Sequence, residues 1–258
     1  GKYSLLFSTT DNRSVHAFSR TDGREVWRVD GGVGFKHITL GTLPLSPEGD
    51  VIYLSADNGS VEARSCADGS LLWSYPINIT GLPCLMTDNS GRVYTFAVKE
   101  GQSWYVCLSP AGKPVWEQRV SEEKMETFCP GVAAVIDWNG YIYVLTHAHV
   151  DSVSGDMLYS FDYDGNLRWR RNAFLGGFRL NTSGIFLYCD VDNRLFTFAY
   201  SKTNLPTIIS YNQHGEQIYD VSLWAEDEIL GAIGPFQTMI FNAHYLDKIC
   251  GATLLKFQ

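Results

Sequence analysis

Asp68-Gly69-Ser70-Leu71-Leu72-Trp73 is the stretch on which the reading of this chain turns, because it returns four more times. The other copies are Asp22-Gly23-Arg24-Glu25-Val26-Trp27, Ala111-Gly112-Lys113-Pro114-Val115-Trp116, Asp164-Gly165-Asn166-Leu167-Arg168-Trp169 and His214-Gly215-Glu216-Gln217-Ile218-Tyr219. Each has a tight Gly turn with an aromatic residue four positions later. The glycines stand 46, 43, 53 and 50 residues apart. Self-similarity at 40–50 residues is the mark of a repeat architecture in which one supersecondary unit is copied.

Working outward from Gly69, the flanking sequence is strand-like. Val51–Ser55 and Val61–Ser65 enclose Asn58-Gly59, a strong hairpin signal, and Leu71–Tyr75 follows the motif turn. Thr42-Leu-Pro-Leu45 reads as a short inner strand, which makes four strands per repeat. The third repeat supplies Leu82–Met86, Arg92–Val98, Tyr105–Ser109 and Val115–Val120, and the fourth Val132–Ile136, Tyr141–Thr146, Met157–Asp162 and Leu167–Arg171. Ile185–Cys189, Leu195–Tyr200, Thr207–Tyr211 and Gln217–Val221 complete the fifth. No window keeps helical periodicity over three turns; Ser222–Leu230 reads as one short helix or an acidic loop. The expected fold is all-β, a β-propeller of four-stranded antiparallel blades forming a single domain over residues 1–258. Five repeats are clear. The start reads as second, third and fourth strands at Tyr3–Phe7, Val15–Phe18 and Glu25–Val29. After the fifth motif only Thr238–Asn242 and Thr253–Phe257 look like strands, which leaves open an irregular sixth blade or one shared between the termini.

Composition narrows the function classes. The chain of 258 residues has 20 Lys and Arg against 28 Asp and Glu, a net charge of −8, and no basic cluster. An electrostatic footprint for nucleic acid or anionic lipid is therefore not expected. No apolar run reaches the roughly 18–20 residues that cross a bilayer, so membrane insertion is not expected either. The chain opens Gly-Lys-Tyr-Ser, without an initiator Met, and reads as a trimmed or mature segment. Its six cysteines include no vicinal pair and no Cys-x-x-Cys, which favours buried thiols over zinc or redox motifs.

Ser14-Val-His-Ala-Phe-Ser-Arg-Thr-Asp-Gly-Arg-Glu-Val-Trp27 closely resembles the repeat of the PQQ-like, or quinoprotein-like, β-propellers. The resemblance runs to about residue 225. It is strong in the first, second and fourth motifs and weakest in the fifth, where Tyr219 replaces Trp. It implies a propeller and little about activity, since the repeat serves dehydrogenases, outer-membrane assembly lipoproteins and luminal stress sensors alike. Quinone-dependent members resemble one another in an eight-bladed ring, a vicinal Cys-Cys ring and a Glu/Asn/Asp calcium set. This chain is too short for eight such blades and carries no Cys-Cys, so no cofactor is expected.

Within this scheme Gly23, Gly69, Gly112, Gly165 and Gly215 supply positive φ in tight turns. Trp27, Trp73, Trp116, Trp169 and Tyr219 pack against neighbouring blades. His147, His149 and Asp151 form the one metal-like constellation, set where a strand enters a polar loop. Asp190-Val-Asp192-Asn193 and Asp162-Tyr-Asp164-Gly165 have calcium-like spacing but coincide with turns, where Asp caps backbone N–H groups. Glu122-Glu123-Lys124 and Glu226-Asp227-Glu228 read as solvated loops. Sequons at Asn12, Asn58, Asn78 and Asn181 fall in turns or loops, which leans toward a secreted, periplasmic or luminal setting. The longest connections are Asp30–Gly41, Ser121–Gly131, Ala148–Gly155, Ser201–Pro206 and Leu223–Gly234; Phe35, Phe128 and Trp224 within them are contact candidates. The expected function is a non-catalytic scaffold with a protein partner. The alternative is a carbohydrate or small-ligand site in the central channel using the off-register Trp104 and Trp138, with a PQQ-dependent oxidoreductase third.

Overall fold

The computed structural model describes residues 3–9, 14–30, 32–34, 44–78, 85–120, 133–150, 153–172, 179–180, 187–190, 192–200, 206–222, 229–233, 238–245 and 248–256. Every regular element among them is a strand. The chain divides into two compact units, Gly1–Met125 and Glu126–Gln258.

In the first unit, Leu5–Thr9 (β1), Val15–Ser19 (β2) and Glu25–Val29 (β3) form a three-stranded sheet. Val33–Gly34 (β4), Val51–Ala56 (β5), Ser60–Ser65 (β6) and Leu71–Pro76 (β7) form a four-stranded sheet in sequence order. Met86–Thr87 (β8), Val93–Lys99 (β9), Gln102–Leu108 (β10) and Pro114–Arg119 (β11) repeat that plan. All pairings are antiparallel between chain neighbours, so each sheet is a local meander. Such a sheet is a propeller blade: a short inner strand, two long central strands and an outer strand with one free edge.

In the second unit, Ala133–Ile136 (β12), Ile142–Val150 (β13), Val153–Phe161 (β14) and Leu167–Asn172 (β15) form the fourth blade. The next sheet contains Arg179–Leu180 (β16), Leu187–Cys189 (β17), Leu195–Tyr200 (β18), Pro206–Tyr211 (β19) and Gln217–Ser222 (β20). There β16 and β17 share one side of β18. Ile229–Ile233 (β21), Thr238–Tyr245 (β22) and Lys248–Lys256 (β23) close the list with three strands.

Several expected boundaries are corrected. Val150 pairs with Val153 in a continuous hairpin, so most of the connection expected at Ala148–Gly155 is strand. The β-branched and aromatic run Ile142–Val150 finds a matching partner in Val153–Phe161, and pairing propagates until both are used. The inner edge of the second blade is split. Val33–Gly34, inside an expected connection, pairs with Ser55 and Ala56, while Leu45 only bridges Ile52. Pro44 lacks an N–H to donate, although its carbonyl accepts from Tyr53 at 2.9 Å. The C-terminal region holds three strands where two were expected, and Ile229–Leu230, at the end of the segment read as a helix or loop, belongs to β21.

The cores lie between consecutive blades. Val15, Ala17 and Trp27 of the first blade close on Val33, Ile52, Leu54 and Cys66 of the second. In the second unit, Tyr143, Leu145 and Leu158 close on Leu187, Leu195, Ile209 and Tyr211. A blade therefore has two apolar faces, and burial of both between neighbours drives the stacking.

Candidate functional site

The recurring motif builds a clasp. The glycines at 23, 69, 112, 165 and 215 have φ of 71°, 74°, 74°, 87° and 73°, the left-handed region that a side chain disfavours. Immediately after each turn the third and fourth strands slip by one residue. Ala63 faces Trp73 but Arg64 faces Leu71, so Leu72 is an unpaired bulge. The same slip skips Val26, Val115, Arg168 and Ile218 in the other repeats. A bulge re-aims the side chains that follow it. Here it turns the tryptophans inward, while the bulge residues Val26, Leu72, Val115 and Ile218 face solvent and Arg168 folds over the Tyr141 ring.

The tryptophan then reaches the next blade's turn. Trp27 Nε1 donates to the Cys66 carbonyl at 2.8 Å, Trp73 Nε1 to Pro110 at 2.9 Å and Trp169 Nε1 to Gln213 at 2.9 Å. Each ring lies over the following glycine. A Cβ added to Gly69 would stand 2.9 Å from Trp27 Cε3, one on Gly112 2.5 Å from Trp73 Cδ2, and one on Gly215 2.6 Å from Trp169 Cζ3. On its own blade each ring leans on a second-strand aromatic: Phe7 with Trp27, Tyr53 with Trp73, Tyr94 with Trp116 and Tyr143 with Trp169, at centroid separations of 5.7–5.9 Å. Tyr219 takes the equivalent position opposite Ser210, and its side chain lies outside the described residues.

A second periodic device joins the first and second strands. Asp88, Asp137 and Asp190 each accept, through Oδ1, the N–H groups two and four residues ahead, at 2.8–3.0 Å. Ser46 does the same work for Asp50 and Val51. Asp137 also accepts the Tyr143 hydroxyl at 3.0 Å, and burial, reinforced by that negative charge, raises the phenol well above its ordinary value. Asp190 additionally holds the Arg194 guanidinium at 2.7 Å. These are Asx turns, so the calcium-like spacing at Asp190–Asn193 serves the backbone. Asp162 likewise accepts from Asp164 and Asn166 N–H. Burial opposes its charge, but the Asn166 and backbone donors outweigh it and hold the carboxyl below its ordinary value.

The three buried carboxylates among the described residues are thus accounted for: Asp137 and Asp190 in turns, and Glu62 against Arg64 at 2.7 Å. Between the second and third blades, Tyr75 donates to Glu117 at 2.5 Å, and Lys99 donates to both. Burial works against both charges. The mutual hydrogen bonds prevail, raising Lys99 and lowering Glu117.

The other candidates separate. Trp138, on the β12–β13 turn, is 76% exposed, and its backbone N–H is tied to Asn193 Oδ1 at 3.2 Å. Trp104 is half-buried on β10 with its indole N–H enclosed and without an acceptor. The two freely exposed rings wanted for a sugar platform are therefore not both present. His147 and His149 sit on β13, with side chains outside the described residues, as is Asp151. Among the described residues no His, Cys, Asp and Glu set converges as a metal site. Asn58 is exposed and accepts the Ser60 hydroxyl at 2.5 Å; Asn78 is exposed at φ 54° and donates to the Val98 carbonyl. Asn12, Asn181, Phe35, Phe128, Trp224, Glu122–Lys124 and Glu226–Glu228 lie outside the described residues. Sequence reasoning missed the bulge positions. Val26, Leu72, Val115 and Ile218 are 45–53% exposed, and their constant place one residue before the aromatic was the available signal.

A family profile described as outer membrane protein assembly factor BamB matches residues 2–174. Among the curated proteins no sequence matches this chain. The crystal structure of BamB from Moraxella catarrhalis superposes with a TM-score of 0.61 at 17% identity, covering 98% of this chain and 74% of that one. The quinohemoprotein alcohol dehydrogenase from Comamonas testosteroni superposes with a TM-score of 0.57 at 14% identity, covering 93% of this chain and 50% of that one. At such identities the likeness concerns the fold, which an assembly factor and a dehydrogenase share.

Proposed function

The chain belongs to the PQQ-like propeller family of the outer membrane protein assembly factor BamB, and from that premise we propose that it is a non-catalytic scaffold for a protein partner. One observation carries the reading. Every buried carboxylate among the described residues is consumed by a turn or an arginine, while the side chains left in solvent include large apolar ones at fixed places. A catalytic acid or base needs a free lone pair facing substrate. Trp138 and the bulge residues Val26, Leu72, Val115 and Ile218 are instead groups that gain free energy by being covered. The backbone of Trp138 is tied to Asn193, which fixes the turn that carries the ring.

The residues also suit a quinone poorly. Cys66, Cys107 and Cys189 stand apart as free thiols, and burial pushes each up to about 12, far from a vicinal ring. By analogy with the family's description, the partner is a protein handled by an outer-membrane-type assembly apparatus, and the setting is extracytoplasmic. The exposed sequons at Asn58 and Asn78 agree with that setting.

Photo-crosslinking tests the proposal. A benzophenone amino acid placed at Trp138, Leu72 or Val115 should give a discrete adduct with the same partner protein in cells, and one placed at buried Val93 should give none. Absence of an adduct from all three exposed positions would remove the scaffold reading.

A further inference from the structure

The tip of the β5–β6 hairpin carries a carboxamide that binds only its own neighbour. Asp57, Asn58 and Gly59 join the two strands, and Gly59, at φ 75°, donates its N–H to the Ala56 carbonyl at 3.0 Å. Asn58 is exposed, and its Oδ1 accepts the Ser60 hydroxyl at 2.5 Å. Its Nδ2 meets no acceptor among the described residues. Other turn asparagines are committed to the fold. Asn166 Nδ2 donates to Asp162, Asn193 Oδ1 holds the Trp138 N–H, and Asn212 Oδ1 accepts the His214 and Glu216 N–H groups.

The residues around that tip form an acceptor. Asn58-Gly59-Ser60 sets a hydroxyl two positions after a carboxamide with no proline between, the pattern read by N-linked glycosylation. Chance in asparagine-rich turns is a poor account of it. Asn89, Asn139, Asn166, Asn193 and Asn212 also stand in turns, and none has Ser or Thr two positions on. Ser60 is 5% exposed, so its hydroxyl is open to an enzyme only before the second blade packs, as in a chain modified while still unfolded. In the finished fold Asn58 faces solvent, with room for a bulky, hydrated group. The Asn78 sequon shares this corner, since the Ile77 and Asn78 N–H groups both donate to the Gly59 carbonyl, but Asn78 Nδ2 already donates to the Val98 carbonyl at 3.3 Å. From here β6 runs six residues, about 20 Å, to the other end of the blade, where the next turn leads into exposed Leu71 and Leu72.

We propose that Asn58 is a glycosylation site and carries an N-linked oligosaccharide. The co-substrate is a lipid-diphosphate-linked oligosaccharide. Asn58 Nδ2 forms a bond to its anomeric carbon, the bond from that carbon to the diphosphate oxygen breaks, and one amide proton and the lipid diphosphate leave. The proposal rests on the extracytoplasmic setting of the scaffold reading and adds a division of labour within the second blade. The glycan sheathes the Asn58 end in a hydrated layer, and the Leu71–Leu72 end stays open to a protein partner.

The test uses the whole chain isolated from its natural source. It is treated with peptide:N-glycosidase in oxygen-18 water, digested, and mapped by mass spectrometry. Asn58 should be read as Asp carrying the heavy oxygen in the majority of chains, and the intact protein should lose the mass of a glycan on treatment. In the same cells Asn58→Gln should appear lighter by one glycan. Ser60→Ala, which keeps the asparagine and removes only the hydroxyl, should do the same and supplies the reading if Asn58→Gln fails to fold. An unmodified Asn58 in the natural chain, or a glycan mass unchanged by both variants, would overturn the proposal. The crosslinking above keeps the two readings apart. A partner adduct from Leu72 in chains whose Asn58 is bare sinks the glycan and leaves the scaffold standing, and a glycan on chains that give no adduct does the reverse.

Discussion

Gly23 and Gly112 open the same motif with nearly the same φ, 71° and 74°, yet their surroundings differ completely. Nothing stands within 4 Å of a Cβ built on Gly23, whereas one built on Gly112 would lie 2.5 Å from Trp73 Cδ2. The first glycine answers only to its own backbone. The second must also leave room for the tryptophan of the preceding blade. Identical sequence signals therefore report two separable demands, a turn and a clasp, and only the second holds one blade to another.

The largest effect should come from removing a clasp. Trp27 is 8% exposed, and Trp27→Ala should cost about 3–5 kcal/mol in a urea unfolding series. Gly112→Ala should follow at about 2–4 kcal/mol, combining left-handed strain with overpacking. Asp137→Ala should cost about 2 kcal/mol, because two backbone N–H groups and the Tyr143 hydroxyl lose their acceptor. Gly23→Ala pays only for its φ, about 1 kcal/mol by the same assay. Trp138→Ala should leave stability within about 0.5 kcal/mol while weakening partner capture, the reverse of the clasp variants.

The clasps were legible in the sequence because turn chemistry and aromatic spacing recur together. What escaped was of another kind. The bulges at Val26, Leu72, Val115, Arg168 and Ile218 depend on which cross-strand residue is skipped, and a single strand does not carry that information. Of the capping aspartates the sequence flags only Asp190, as a turn with calcium-like spacing; the hydrogen bonds shared by Asp88, Asp137 and Asp190 are what make them a second repeat. The two-residue strand Val33–Gly34 exists only because Ser55 and Ala56 present a free edge to it. Of the candidate contacts, Trp104 and Trp138 look alike as off-register tryptophans. An enclosed indole N–H on half-buried Trp104 separates one, and exposure on a turn the other.

The most direct test of the two-demand account is a double-mutant cycle between Trp73 and Gly112. If the missing Cβ makes room for the neighbouring ring, Gly112→Ala should cost about 2–4 kcal/mol in the natural chain and fall to the Gly23→Ala value, about 1 kcal/mol, in the Trp73→Ala background. An undiminished cost in that background would show that the glycine serves its turn alone, and would contradict the clasp.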